Sequence, residues 1–127
     1  MFCDKAVFEM RLRLLKAKIH RATVTYTNLD YTGSITIDQD LMDAVGIIPY
    51  EQVLVANLTN GTRHETYTVS GPRGSGVICV MGAAAHLVNT GDKVIIMAFA
   101  DFKAKDAAGH KPKIVFVDGQ NRIITKE

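Results

Sequence analysis

Ser34 follows Gly33 in the segment Tyr31-Thr32-Gly33-Ser34-Ile35-Thr36-Ile37-Asp38, and this pair could give the chain a reactive group of its own. The Ser34 hydroxyl can attack the Gly33 carbonyl and move the acyl group from nitrogen to oxygen. The ester can then eliminate to dehydroalanine, and hydrolysis leaves a second chain that begins with a ketone. Glycine suits the upstream position because, lacking a Cβ, it can adopt strained backbone angles and let the hydroxyl approach. The predicted products are fragments 1–33 and 34–127, the latter starting with a pyruvoyl group made from Ser34.

A Gly-Ser pair is also common in turns, and Ser75 follows a glycine too. On the Lys18 segment, side chains alternate with period two, so Lys16, Lys18 and His20 share one strand face. That polar face could be a solvated edge or the wall of a site for an anion.

Arg63 follows Asn60-Gly61-Thr62 and shares a strand face with Tyr67. It could be a charge at a hairpin tip, or a planar guanidinium that holds a carboxylate through two parallel hydrogen bonds. Tyr67 could be a half-buried strand aromatic, while Thr66 points to the opposite face. Both could serve one site only through a bulge, a backbone contact or a neighbouring subunit.

The segment Gly82-Ala83-Ala84-Ala85 has almost no side chains, so it could expose backbone N–H groups to an anion or allow close helix packing. Together with the Gly-Ser, Lys18 and Arg63 segments, it closely resembles the pyruvoyl-dependent aspartate 1-decarboxylases. The similarity runs from about Met10 to Ile123 in that family's order and spacing.

The resemblance implies a self-cleaving zymogen that decarboxylates L-aspartate to β-alanine and CO2 for pantothenate biosynthesis. It implies a Schiff base between aspartate and the Ser34-derived pyruvoyl group, a homotetramer, and no metal. It also implies roles for particular residues: catalysis by Ser34 and Tyr67, the latter as proton donor; self-cleavage at Gly33 and Ser34 with help from Thr66; substrate binding by Lys18, Arg63, Thr66, Gly82, Ala83 and Ala84; and support from His20 and Tyr31.

Two positions depart from the family pattern. Met81 stands where an asparagine usually precedes the glycine, and methionine cannot donate an amide hydrogen bond. This substitution bears on the efficiency of self-cleavage and on the placement of the pyruvoyl carbonyl. Thr32 replaces an acidic residue found in some members. Tyr31 could alternatively be an aromatic residue of the hydrophobic core.

Composition limits the remaining functions. The chain has 127 residues, which predicts one domain of residues 1–127, with 1–9 as an N-terminal extension. A net charge of +2 and the absence of Trp argue against nucleic acid as a partner. The longest apolar run, Val94 to Ala100, is too short to cross a membrane, and we expect a cytoplasmic protein. Cys3 and Cys79 show no metal-ligand spacing, and Cys79 is expected in the core.

Short β-type runs separated by turns dominate the chain. We predict eight strands, at Leu12–His20, Thr23–Tyr26, Ser34–Ile37, Gln52–Asn57, Thr62–Val69, Val77–Met81, Lys93–Phe99 and Ile114–Val117. Hairpin turns are predicted at Asn60-Gly61 and Asp118-Gly119, where these residues tolerate positive φ. One short helix should start at Asp38 and end at Gly46, and another should start near Gly82.

These elements predict a closed, mainly antiparallel β-barrel with two short helices, which the resemblance specifies as a small double-psi β-barrel. Two other functions remain open. A homologue that has lost self-cleavage could act as a binding or regulatory barrel. A serine hydrolase using Ser34 with His20 would need an orienting acid and a nucleophile elbow, and neither pattern is present.

Overall fold

The computed structural model describes residues 10–125, so the predicted N-terminal extension 1–9 lies outside the described residues. Within this range nine strands form one mixed sheet in the order β2-β6-β3-β5-β4-β7-β1-β8-β9. The strands are β1 Arg11–Thr23, β2 Tyr26–Asn28, β3 Ser34–Asp38, β4 Gln52–Asn57, β5 Arg63–Gly71, β6 Ile78–Met81, β7 Lys93–Lys103, β8 Lys113–Val117 and β9 Ile123–Ile124.

Antiparallel pairing predominates in this sheet, as expected. The parallel pairs are β1 with β8, β2 with β6, and β3 with β5. Seven of the eight predicted strands are present, several with shifted ends. The strand predicted at Thr23–Tyr26 was wrong, because Thr23 ends β1, Tyr26 begins β2, and the two residues between them lie in neither. Strand β9 was not predicted because two residues carry too little periodicity to recognise.

Alternating side chains divide the strands into a core face and an outer face. On β1, Ala17 and Ile19 are fully buried, whereas Lys18 is half-buried on the outer face. On β3, Ile35 and Ile37 are fully buried. Ser34 therefore belongs to the outer set of its strand, the set that can meet a ligand or another chain.

Helix α1, Gln39–Val45, follows β3 directly and ends as the sequence predicts. The Asp38 carboxylate accepts the Asp40 N–H at the helix start, and Gly46 ends the helix with a left-handed φ of 76°. Three apolar side chains of α1 are buried: Leu41, Met42 and Val45. Burial of this face anchors the end of β3.

The second predicted helix is a five-residue 3-10 helix, Gly82–His86, and an unpredicted short helix α2 covers Ala104–Ala107. Cys79 lies half-buried on the outer side of β6, so its assignment to the core was wrong. Its strand neighbours Ile78 and Val80 occupy the core instead, because burial alternates along β6.

Both predicted hairpins form, with a difference in backbone geometry. Gly61 has a φ of 79° between β4 and β5, but Asn60 does not have a positive φ. Between β8 and β9, the residue with positive φ is Asn121, at 60°, in place of the predicted Asp118 or Gly119. The connections are closed by Asn57 N–H to Thr62 O and by Asp118 N–H to Arg122 O, and each contains only one left-handed residue.

Candidate active site

Ser34 is the first residue of β3 and is only 8% exposed. In the antiparallel ladder it lies opposite Met81 of β6. Further along the same ladder the Asp38 N–H donates to Val77 O at 3.0 Å. Since hydrogen-bonded pairs alternate along such a ladder, Ser34 and Met81 occupy a hydrogen-bonded position. The backbone at the predicted cleavage point is therefore held by β6.

On its other side, β3 lies parallel to β5. Ile35 pairs with Thr68, and the parallel pairing runs from there to Asp38 opposite Gly71. Ile35 and Thr68 are more than thirty positions apart in sequence. The sheet thus pairs β3, directly after Ser34, with the part of β5 that directly follows Thr66 and Tyr67.

Gly82 packs directly against Gly33. A Cβ built on Gly82 would lie 2.6 Å from Gly33 Cα, 2.8 Å from Gly33 N and 3.1 Å from Tyr31 O. Gly82 is buried and has a φ of 79°. No other residue could occupy this position without displacing the backbone of Gly33.

That glycine at position 33 lets the Ser34 hydroxyl approach its carbonyl stays a prediction. Gly33 does not adopt a left-handed φ, and a Cβ on it would meet only Met81 O, at 3.9 Å. The left-handed φ and the close backbone contact belong to Gly82. Sequence reasoning assigned Gly82 to substrate binding and missed its contact with the cleavage pair.

Arg63, Glu65 and Tyr67 are exposed on one face of β5, as predicted from their spacing. Their register with β4 is regular from Arg63 opposite Ala56 to Tyr67 opposite Gln52. No bulge interrupts this stretch, so Thr66 points away from Tyr67. Thr66 and Tyr67 can therefore act in one site only through a backbone contact or with the help of a second chain.

Tyr50 was missed by the sequence analysis, although its ring lies beside Tyr67. The two ring centroids are 6.4 Å apart. Tyr50 has a φ of 69°, which is uncommon for a residue with a Cβ, and its side chain is 78% exposed. Non-glycine residues in this region of backbone space concentrate at functional sites.

The loop that carries Tyr50 is fastened to Thr68, the buried neighbour of Tyr67. Tyr50 N–H donates to Thr68 O at 2.8 Å, and Thr68 N–H donates to Glu51 O at 3.1 Å. The Thr68 hydroxyl also donates to Ile48 O at 2.8 Å. Glu51 in turn accepts a hydrogen bond from Lys16 at 2.6 Å. These bonds hold the Tyr50 backbone at a fixed distance from β5.

Lys18 and His20 lie on β1, which three strands separate from β3 in the sheet order. Lys18 is half-buried and pairs with Met97 and Ile114. The ring of His20 contacts Phe116, with centroids 5.3 Å apart. Neither residue lies on a strand that pairs with β3.

Tyr31 is 62% exposed, so the alternative reading as a core aromatic was wrong. Its carbonyl oxygen lies against Gly82, beside the cleavage pair. In the 3-10 helix, Ala83 is exposed and Ala84 is half-buried. Both lie within two residues of Gly82, on the same side of the cleavage point as Met81.

A cavity of about 130 Å³ lies elsewhere, at the far end of β3. It is lined by Asp38, Asp40, Leu41, Gly74, Asn121, Arg122 and Ile123. The buried polar groups there already have partners: the Asn121 side chain, for example, bonds the Thr23 backbone and Gly76 O. We assign this cavity a structural role.

Within residues 10–125, no cluster of three or more His, Cys, Asp or Glu side chains could hold a metal ion. The helices of this described range are too short or too polar to span a membrane.

Comparison with known proteins identifies the family. The family model for aspartate decarboxylase matches residues 10–124. The chain belongs to the aspartate decarboxylase family. The aspartate 1-decarboxylase of Ruminiclostridium cellulolyticum is 57% identical over 117 residues, which cover 92% of this chain and 91% of that protein. The corresponding protein of Carboxydothermus hydrogenoformans is 58% identical over 115 residues, covering 91% of each chain.

A third member of the aspartate decarboxylase family, the aspartate 1-decarboxylase of Neisseria meningitidis, is 58% identical over 110 residues and 87% of each chain. Among solved structures, the rationally designed protein mkDPBB_sym_86 aligns with a TM-score of 0.47 and 13% identity, over 61% of this chain and 90% of that one. The expected mainly β fold with short helices is confirmed by the nine strands and the short helices of residues 10–125.

Members of this family depend on a pyruvoyl group, and the surroundings of Ser34 fit one. Strand β3, which begins at Ser34, lies between β6, which carries Met81, and β5. Because residue 82 is a glycine, the Gly33 backbone can occupy the space that a Cβ at position 82 would fill. The residues present are therefore compatible with a pyruvoyl group formed at Ser34.

Proposed function

We propose that this chain is an aspartate 1-decarboxylase, which converts L-aspartate to β-alanine and CO2 for pantothenate biosynthesis. It acts as a zymogen of one domain, residues 1–127, that cleaves itself into fragments 1–33 and 34–127. The observation that carries the proposal is the sheet register at the start of β3, where Ser34 lies opposite Met81 on β6 and Ile35 pairs with Thr68 on β5. The cytoplasm is its proposed location.

Self-cleavage begins when the Ser34 hydroxyl attacks the Gly33 carbonyl carbon. The bond from that carbon to Ser34 N breaks, the nitrogen takes up a proton, and an ester forms. Elimination removes the Ser34 Cα proton and breaks the Cβ–Oγ bond, leaving a carboxylate on Gly33. Water then releases ammonia and leaves a ketone at Ser34 Cα. Thr66, two residues before the first β5 residue that pairs with β3, donates a hydrogen bond to the carbonyl oxygen as negative charge develops there.

The pyruvoyl ketone supplies an electron sink for the electron pair that remains when the α-carboxylate leaves as CO2. The chain's own residues bind and protonate. Arg63 holds the retained side-chain carboxylate of aspartate through two parallel hydrogen bonds, which selects substrates with a second acid group. Tyr67, on the same strand face, delivers the proton to the carbon that has lost CO2. Gly82, Ala83 and Ala84 line the substrate on the β6 side.

Lys18 of another subunit completes the site, and His20 supports Lys18. Tyr31, near the end of fragment 1–33, is the last residue that this fragment contributes to the lining of the site. The strand order supports this arrangement, since Lys18 lies on β1, which does not pair with β3. A homotetramer with sites between adjacent chains brings Lys18 of one chain to Ser34 of the next.

Intact mass spectrometry tests the proposal. After prolonged warming, the purified protein should give two chains, divided between Gly33 and Ser34. The 34–127 fragment should react with phenylhydrazine, a carbonyl reagent, and resist Edman sequencing. Ser34→Ala is the control and should remain one uncut chain without decarboxylase activity.

Two results would contradict the proposal. A protein that stays intact and inactive would favour the binding or regulatory barrel. If the protein is cleaved but releases no CO2 from aspartate, self-cleavage occurs and the proposed decarboxylation is wrong. A serine hydrolase is disfavoured because the sequence has neither an acid to orient His20 nor a nucleophile elbow at Ser34.

A further inference from the structure

Gly82 and Met81 contact the two sides of the bond that we propose is cleaved. Met81 lies opposite Ser34 in the β3–β6 ladder, and Gly82 touches the Gly33 backbone. The dipeptide Met81-Gly82 therefore lies along the dipeptide Gly33-Ser34. On its other side, β3 pairs with β5 in a parallel register that begins at Ile35 and Thr68.

Gly82 is distinguished from other left-handed glycines by what surrounds it. Gly61 has the same φ, 79°, yet a Cβ built on Gly61 meets nothing within 4 Å. A Cβ on Gly82 would meet Gly33 Cα at 2.6 Å and Gly33 N at 2.8 Å. Both contacts are backbone atoms, which cannot turn aside as the end of a flexible side chain can.

We propose that Gly82 is a positioning residue for self-cleavage: it holds the Gly33 carbonyl at the distance and angle from which the Ser34 hydroxyl can attack. This inference rests on the proposed cleavage at Gly33-Ser34. Gly33 is exposed and lacks a Cβ, so its own side chain gives it no anchorage. Close contact with a buried glycine on the β6 side limits its backbone movement instead.

The size of the expected effect follows from the contact distance. Relief of a 2.6 Å contact to an ordinary 3.4 Å requires Gly33 to move by about 0.8 Å. Misplacement of reacting groups by about 1 Å can cost on the order of 10²-fold in rate. Gly82→Ala should therefore slow self-cleavage about 100-fold.

Gly61→Ala is the matched control, because it introduces the same backbone strain without a clash. Freshly synthesised precursor is warmed, and the fraction cut is followed by intact mass. Wild type and Gly61→Ala should be cut at the same rate, and Gly82→Ala should remain mostly uncut. If wild type itself is not cut, the proposed function fails. If wild type is cut and Gly82→Ala is cut within threefold of its rate, only the positioning role fails.

Hydroxylamine separates positioning from general loosening of the barrel, because at neutral pH it cleaves an ester and leaves amides intact. Gly82→Ala should yield little Gly33 hydroxamate, since the acyl shift itself is impaired. In a Ser34→Ala background, where no chain is cut, Gly82→Ala and Gly61→Ala should retain cooperative thermal unfolding. Hydroxamate formation at the wild-type rate would overturn the proposal.

Gly82→Asn serves as a second variant, because asparagine adopts positive φ more readily than alanine and carries the same Cβ. It should be as slow to cut as Gly82→Ala. If it folds and is cut at the wild-type rate, the proposal is wrong. If neither variant folds while Gly61→Ala does, the contact serves folding of the barrel, and the positioning role is likewise overturned.

Discussion

The Asp38 side chain accepts hydrogen bonds from two other segments, the start of α1 and the loop before β6. Its removal should therefore lower the free energy of unfolding substantially. The side chain is only 2% exposed. Its Oδ1 accepts the N–H groups of Asp40 at 2.9 Å and Gly74 at 3.0 Å, and its Oδ2 accepts the N–H of Gly76 at 2.9 Å. Asp38 thus connects β3, the start of α1 and the loop before β6.

The expected cost of Asp38→Ala follows from these three bonds. The Gly76 N–H is buried, so loss of its charged acceptor costs about 1.5–3 kcal/mol. Loss of the helix cap adds about 1 kcal/mol. Gly74 is exposed, so water can replace the carboxylate there. The total is about 2.5–4 kcal/mol, which lowers the Tm of a domain of this size by roughly 10–15 °C.

Thermal unfolding followed by circular dichroism measures this effect, in a Ser34→Ala background so that every chain is intact. Asp38→Asn should lower the Tm less than Asp38→Ala, because its remaining oxygen can still accept the Asp40 N–H at the helix start. Its amide nitrogen then faces the Gly76 N–H, so the bond to Gly76 is lost in both variants. Asp40→Ala is the control. Its side chain is exposed and pairs with Arg73, and such surface pairs contribute little. A Tm within about 3 °C of the parent for Asp38→Ala would refute the reasoning.

Four further outcomes are expected. Arg63→Lys should cut itself normally but show a lower kcat/KM for aspartate, because the charge remains while the two-bond geometry is lost. Tyr67→Phe should cut itself and release CO2, but form β-alanine about 10²–10⁴-fold more slowly in a single turnover. Mixed oligomers of Lys18→Ala and Tyr67→Phe chains should regain about a quarter of wild-type activity, since only a site built from two chains can combine both intact residues. The Tm should fall as pH drops below 6.5, because burial lowers the pKa of His64 in the folded state and the unfolded chain then binds more protons; His64→Phe should reduce this slope.

Each of these outcomes has a result that opposes it. Unchanged kcat/KM in Arg63→Lys would leave Lys18 as the anchor for the carboxylate. Wild-type β-alanine formation by Tyr67→Phe would return Tyr67 to a packing role beside Tyr50. Mixed oligomers that stay inactive would place each site within one chain. An unaltered pH slope in His64→Phe would mean that other groups determine it.

The local sequence determined most of the elements and their faces. Alternation placed Ala17 and Ile19 in the core and Lys18 outside. Asp38 and Gly46 marked the ends of α1, because a cap and a left-handed residue act on neighbouring backbone groups. Order and spacing of short motifs also located Ser34, whose chemistry depends first on the residue beside it.

Tertiary structure alone decided which elements meet. Periodicity assigns a residue to a face of its strand but does not name the partner strand, so the pairing of Ser34 with Met81 was not predictable. For the same reason, sequence analysis did not predict the left-handed φ and the close backbone contact of Gly82, which lies nearly fifty residues after Gly33. A glycine's need for positive φ comes from the contact that forces it, and that contact exists only once β3 and β6 are paired.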